Sequence, residues 1–396
     1  MDMLGNPRKD YAGPAIFSFG FRPFFMIASI YAGASVLLWI PLFMGHLEIS
    51  STFAPVDWHI HEMLFGFAAA VICGFLLTAV PNWTGRLPVQ GFPLLLLSLL
   101  WLVGRLAVTY SVQIGWIAAT ILDCMFLFVL WLVVAREIVR GQNWRNLKVL
   151  VPLSVLLSSN LLFHLEASIG GIADYSRRMA LVAIIAFILI IGGRIIPSFT
   201  RNWLVKFNPG RLPAPFSLFE KINLMASMVT MVGWILLPEQ ELVGYGFLAA
   251  SVLLFVQLAR WAGGRTFAEP LVLILHISYL FIPVGFLLIG LSILYPDKLL
   301  PVVGIHALGT GAVGGMILAV MMRASKGHTG KPLVMKPTDV VLYAAVVIAA
   351  ISRVICALFP ESMTWLITFS GAFWAVGFVG FSIVYGRYLL KPKQIV

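Results

Sequence analysis

The residues of this chain able to do chemistry are ionisable side chains set inside long apolar runs. His59, His61 and Glu62 open one such run, and His164 and Glu166 close another. Asp123, Arg105, Arg353 and His306 lie within further runs, and a sparser second set comprises His276, Arg194 and His328. Ionisable groups held in hydrocarbon are costly, and they mark metal sites, proton relays or ion paths. Neutral imidazole suits copper, iron and zinc, and haem iron is commonly held by histidine. The carboxylates of Glu62, Asp123 and Glu166 are of the type that orients metal-bound imidazoles or moves protons. A guanidinium matches a carboxylate bidentately, so Arg105 and Arg353 are candidates either for haem propionates or for ion pairs with Asp123 or Glu166. Spacing sets one limit. On a regular helix His59 and His61 point about 200° apart, so they share a metal only if the helix start is unwound, and otherwise serve different centres. His59 and Glu62, three apart, share a face.

The elements that position these residues follow from composition. The chain has 396 residues, of which 60% are apolar and only 11% charged, against about 25% charged in a soluble domain. The charges are clumped and leave many runs of roughly 18–24 residues, the length a helix needs to cross a bilayer core. The fold class expected is an all-α polytopic membrane protein with about twelve transmembrane helices. Spans are predicted near 24–44, 58–80, 93–110, 116–135, 149–168, 178–198, 220–237, 242–259, 270–294, 301–322, 339–359 and 363–386. A short segment (1–23), one membrane domain (24–387) and a tail (388–396) make up the organisation. Of the 27 Lys and Arg residues, 21 fall in the termini and even-numbered loops, three in the odd loops (Arg177, Arg178, Lys298) and three inside spans. That bias predicts cytoplasmic termini. It also accounts for the net charge of +11 without nucleic acid as a partner. His59, His61, Glu62, His164, Glu166, Asp123, Arg105, Arg353 and His306 then share the outer third of the bilayer, with His276 further in, Arg194 near the inner end of its helix and His328 in a cytoplasmic loop. His46 reads as a solvated loop residue.

Other classes are excluded on motif grounds. The first 22 residues are polar and lack an apolar core, so no cleavable signal peptide is expected. Cys73, Cys124 and Cys356 are isolated, which rules out a disulfide framework or a cysteine-ligated cluster. No phosphate-binding glycine loop follows a strand. The second, sixth and tenth spans end alike, at Pro81-Asn82-Trp83-Thr84-Gly85-Arg86, Pro197-Ser198-Phe199-Thr200-Arg201-Asn202 and Gly327-His328-Thr329-Gly330-Lys331. A four-helix unit repeated three times would explain this. So would the common composition of cytoplasmic helix ends.

Several segments together resemble the NnrS family. They are Phe21-Arg22-Pro23-Phe24-Phe25, the run Trp58-His59-Ile60-His61-Glu62-Met63-Leu64-Phe65-Gly66-Phe67, Gly74 through Gly85, Asn160 through Leu165, Gly192 through Thr200, and Leu318 through Gly330. The similarity spans essentially the whole chain. It implies a bacterial inner-membrane, multi-pass protein containing haem, of b type, and copper, linked to nitric oxide and to relief of nitrosative stress. It does not divide the histidines between the two cofactors. His59, His61, His164 and His306 are the metal candidates in the outer set, His276 and His328 those in the inner set, and Arg105, Arg194 or Arg353 would hold the propionates.

Three readings follow. The first is an oxidoreductase that reduces nitric oxide to nitrous oxide, with a helix arrangement resembling the haem-copper oxidases; its electron donor is unknown, with a quinol one candidate. The second is a haem-based nitric oxide sensor without turnover. The third is a transporter for an anion or metal ion, for which twelve spans and repeats are common.

Overall fold

The computed structural model describes residues 11–392. Arg8, Lys9 and Lys393 lie outside them. Among the described residues, twelve helices are long and apolar enough to cross a membrane. They are α1 (Phe21–Phe43), α2 (Pro55–Thr84), α3 (Phe92–Thr109), α4 (Trp116–Arg140), α5 (Trp144–Gly170) and α6 (Tyr175–Phe207). The second six are α7 (Leu218–Leu236), α8 (Glu241–Arg265), α9 (Pro270–Leu294), α10 (Pro301–His328), α11 (Pro337–Leu358) and α12 (Met363–Leu390). Among the described residues there is no strand. The chain is therefore a multi-pass, all-helical protein, and each helix falls on one predicted span. The apolar runs set this outcome, because in hydrocarbon every backbone group must bond within its own helix.

The largest differences are overshoots at one set of ends. α4, α6 and α10 continue past 135, 198 and 322 to Arg140, Phe207 and His328. The added residues carry charges (Arg136, Glu137 and Arg140 in α4, Arg201 and Lys206 in α6, Arg323 and Lys326 in α10), so apolarity marks where a helix leaves the hydrocarbon rather than where it stops. One consequence is that His328, expected in a loop, is the last residue of α10.

The chain gathers into two compact units. The first comprises residues up to Ala180 with Ala324–Lys331 and the segment from Phe381; the second comprises Leu181–Arg323 and Pro332–Gly380. In the first unit, a Cβ on Gly74 of α2 would lie 2.9 Å from the Phe24 side chain, so the missing side chain lets α1 and α2 approach closely. In the second unit, Gly290 of α9 does the same against the Gly244 carbonyl of α8. Small residues at helix contacts are the usual device where lipid removes the hydrophobic driving force between helices.

Three helices change register along their length. α2, α6 and α10 contain π-helical turns at Glu62–Ala68, Ile188–Gly192 and Ala307–Gly314. Such turns re-aim side chains and recur at functional sites. In α2 and α10 the turn directly follows a histidine, His61 or His306. Both helices also reach a glycine in the left-handed region, Gly85 (φ +70°) and Gly330 (φ +75°), a conformation that only glycine adopts at little cost. α6 departs from the pattern: its π turn comes later, and the helix continues past the Thr200 equivalent to Phe207.

Candidate metal centre

Four helices of the first unit bring five ionisable side chains together where α2 and α4 begin and α3 and α5 finish. His61 and Glu62 come from α2, Arg105 from α3, Asp123 from α4 and His164 from α5. All five are at most 3% exposed. Adjacent residues on a regular helix point about 100° apart. The π turn beginning at Glu62 brings both His61 and Glu62 into one site, with His61 Nδ1 3.0 Å from Glu62 Oε1. The same turn leaves the Gly66 carbonyl to accept the Trp101 indole N–H at 2.9 Å.

Arg105 links the two carboxylates. One guanidinium nitrogen donates to Glu62 Oε2 at 2.7 Å and the other to Asp123 Oδ1. Across Asp123, the Nε2 atoms of His61 and His164 each lie 3.1 Å from Oδ2. His61 Nε2 also lies 3.0 Å from the side-chain Oδ1 of Asn160, and the Tyr31 hydroxyl donates to Glu62 Oε2. Two glycines make room. A Cβ on Gly66 would fall 2.7 Å from Glu62 Oε2, and one on Gly104 would fall 3.0 Å from Asp123 Oδ1. Phe53 covers both imidazoles with ring centroids at 5.0 Å, and Phe65 and Phe163 complete the wall around His61 at 4.9 and 5.2 Å.

One ligand atom from each of His61, Asp123 and His164 lies within 4.8 Å of the others, the separation at which three donors converge on one cation. The charge balance favours such an occupant. With neutral imidazoles, two buried carboxylates against one guanidinium leave one uncompensated negative charge, which is expensive at this depth. Two imidazoles and a carboxylate form a donor set for copper, zinc or iron. Glu62 meets His61 on its other nitrogen, as a partner that orients a ligating imidazole does.

The other sequence candidates lie elsewhere. His59 turns away from His61 and stacks on Trp39 of α1, centroids 4.1 Å apart; the regular turn at Pro55–His61 keeps the two apart, as their spacing predicts. Glu166 stands outside the cluster. It accepts from the backbone N–H of Tyr175 at 3.2 Å and from that of Ser176 at 3.0 Å, capping the start of α6, where the unpaired donors of a helix favour a carboxylate. Next to it, Asp174 is bound by Arg177 and Arg178. Burial works to raise its carboxyl, but the two arginines outweigh this and hold it below the ordinary carboxylate value.

His306 and Arg353 belong to the second unit. His306 Nδ1 lies 2.8 Å from the Val302 carbonyl, and Arg353 reaches Cys356 Sγ at 3.6 Å. His276, in the same unit, bonds Thr200 at 2.8 Å, while Arg194 is exposed beyond the π turn of α6. His328 packs against Phe19 and Phe21 in the first unit. His46 is an exposed loop residue. Two members of the site escape sequence reasoning. Asn160 precedes His164 by one helical turn, a spacing that marks a shared face. Tyr31, in an apolar run of α1, carries no such signal and joins only through packing.

A family model described as NnrS protein matches residues 15–393. No curated protein matches the chain.

Proposed function

The chain belongs to the NnrS family, and from that premise we propose that it handles nitric oxide in the bacterial inner membrane with both termini cytoplasmic, using copper and a b-type haem. The observation that carries this reading is the buried His61–Asp123–His164 triangle, held by Arg105 and Glu62. Copper fits it by donor type, by convergence and by the missing positive charge. For haem iron, His306 is the candidate ligand: its Nδ1–H donates to the Val302 carbonyl, which presents Nε2 in the ligating tautomer. One helical turn on, a Cβ at Gly309 would meet nothing within 4 Å, so that face has room. Arg353 and Arg194 remain the candidates for propionates, whereas Arg105 is engaged by Glu62 and Asp123. His276 and His328 are second candidates as ligands.

When bound, the two metals supply nitric oxide binding and electron transfer. The net reaction joins two NO, two electrons and two protons into nitrous oxide and water. Nitric oxide is small and neutral, so it enters from lipid without a polar channel. Protons need carriers, and intramembrane carboxylates are the usual ones. Tyr31, Glu62 and His61 form a continuous hydrogen-bonded line that holds a proton beside the triangle. Arg105 fixes both carboxylates so that Asp123 keeps one oxygen facing the two imidazoles.

The test is the copper and haem content of the purified protein, with absorption spectra before and after nitric oxide. It is followed by nitric oxide consumption in reconstituted vesicles given a reductant. Nitrous oxide formed in proportion over many equivalents establishes reduction. Binding without turnover establishes a sensor or buffer, and a colourless protein free of metal favours the transporter reading.

A further inference from the structure

A groove of about 440 Å³ runs between α8 and α9. Its walls are two apolar stripes, Phe255 with Leu258 on α8 and Leu273, Ile277 and Leu280 on α9. Within each stripe the spacing is three or four residues, which keeps the side chains on one helix face. Leu280 stands ten residues after Pro270, the first of α9, so it lies about 15 Å along the axis. That is about half of a hydrocarbon core about 30 Å thick. Phe255 and Leu280 are exposed, so the groove is open along its side. His276 also borders it, but its Nε2 is taken by Thr200 at 2.8 Å and its Nδ1 is buried. The walls are therefore apolar in effect.

The other end of the groove is cationic. Arg265, the last residue of α8, and Arg211, from the segment between α6 and α7, both border it. Arg265 fixes that segment in place: its guanidinium donates to the carbonyls of Asn208 at 3.0 Å, Pro209 at 2.9 Å and Arg211. Arg211 in turn donates from Nη2 to the Ala259 carbonyl at 2.8 Å, near the end of α8. Arg211 is otherwise exposed, which leaves the other donors of its fork at the surface. Among the described residues, the hydrogen bonds of both guanidiniums run to carbonyl oxygens and none to a carboxylate. Two positive charges thus stand uncompensated where an apolar slot meets the end of its helices.

We propose that this groove is a binding site for one anionic phospholipid, with an acyl chain along the two apolar stripes and the phosphate on Arg211. Arg265 adds its charge from behind. The occupant must carry a negative group at one end and a long apolar body at the other, in the order in which the groove presents them from helix end to bilayer middle. A guanidinium fork matches phosphate oxygens, and basic pockets between membrane helices are a known way of holding acidic headgroups. A soluble anion would fill the rim alone and leave the stripes bare. The site is independent of the nitric oxide reading and stands or falls without it.

The experiment titrates the purified full-length protein in detergent with phosphatidylglycerol, and separately with phosphatidylcholine, and resolves the first bound lipid by native mass spectrometry. Phosphatidylglycerol is expected to bind about 30-fold more tightly, the ratio two arginines near a headgroup supply, and Arg211→Gln to cut that preference about fivefold. Arg145→Gln, which removes an exposed arginine of the other unit, is expected to leave it unchanged. Leu280→Trp fills the slot without touching either charge and is expected to weaken both lipids. Equal affinity for the two lipids, an undiminished preference in Arg211→Gln, or parental phosphatidylglycerol binding in Leu280→Trp, each in variants that keep their helical content, would overturn the proposal. Displacement of phosphatidylglycerol by inorganic phosphate alone would assign the arginines to a soluble anion and overturn it as well.

Discussion

His61 and His306 occupy the same place in two different helices. Each is the last α-helical residue before a π turn. Each also stands 25 residues before the basic residue that follows a left-handed glycine, Arg86 after Gly85 and Lys331 after Gly330. The two differ in what comes next: Glu62 follows one and Ala307 the other. One histidine therefore has carboxylate partners and the other a carbonyl, which are the two common ways of orienting a ligating imidazole.

From this follows a division of ligands. His61→Ala, His164→Ala and Asp123→Asn are each expected to lose copper while haem is kept, and His306→Ala to do the reverse. His59→Ala is expected to keep copper, since its ring stacks on Trp39. Glu62→Gln keeps the three donors and loosens one, lowering copper affinity about 10–100-fold. Metal analysis and haem absorbance of purified variants decide this, and copper retained in all three triangle variants would rule the assignment out.

Arg105 is the cation that permits Glu62 and Asp123 to be buried together. Arg105→Leu leaves two carboxylates without a partner in hydrocarbon, at a cost of about 3–5 kcal/mol. For a unit of this size that lowers the melting temperature by about 6–20 °C. Gly66→Ala tests the same geometry from the opposite side, because its Cβ would press on Glu62 Oε2 at 2.7 Å. Thermal unfolding in detergent checks both, and an unchanged transition for Arg105→Leu would contradict the ion-pair geometry.

The sequence made the twelve helices legible because hydrocarbon admits one answer to a long apolar run. It also marked every charged member of the site, since an ionisable residue in such a run stands out. Legibility ended where packing chooses partners. His59 and His61 look alike in sequence, yet a regular turn sends one to Trp39 and the other to Asp123. Glu166 has the same type and apparent depth as Glu62, but it caps α6, because the next helix begins within its reach. The π turns follow from tertiary contacts and leave no periodicity to read.

Asp174 supplies a pH dependence outside the spans. Its folded carboxyl lies below the ordinary 3.8, so its stabilising contribution is fully present above that value and is lost as pH falls through the folded value. Asp174→Asn is therefore expected to be less stable than the parent at pH 7. Measured down to pH 3, the gap should narrow below about pH 4. A gap that widens with acid would invert the sign and refute the pairing with Arg177 and Arg178.

The charge bias predicts that position 174 and the C-terminus face opposite compartments. Reporter fusions at the two places should give opposite signals, periplasmic at 174 and cytoplasmic at the end. Two signals from one side would remove the proposed orientation.

The proton line can be separated from the metal centre. Tyr31 touches Glu62 and is no part of the triangle. Tyr31→Phe removes one hydroxyl and leaves every proposed copper ligand in place. If Tyr31 and Glu62 deliver protons, this variant should keep copper, haem and nitric oxide binding while nitrous oxide formation falls, by about 10²-fold if a full acid–base contribution is lost. A structural role predicts the reverse, with the melting temperature lowered and turnover per copper unchanged. Solvent exchange sharpens the distinction: slowing in D2O should be larger in Tyr31→Phe than in the parent, because proton delivery would then limit the rate. Parental turnover per copper in the variant would detach Tyr31 from the chemistry and leave Asp123, already fixed between Arg105 and the two imidazoles, as the carboxylate to test next.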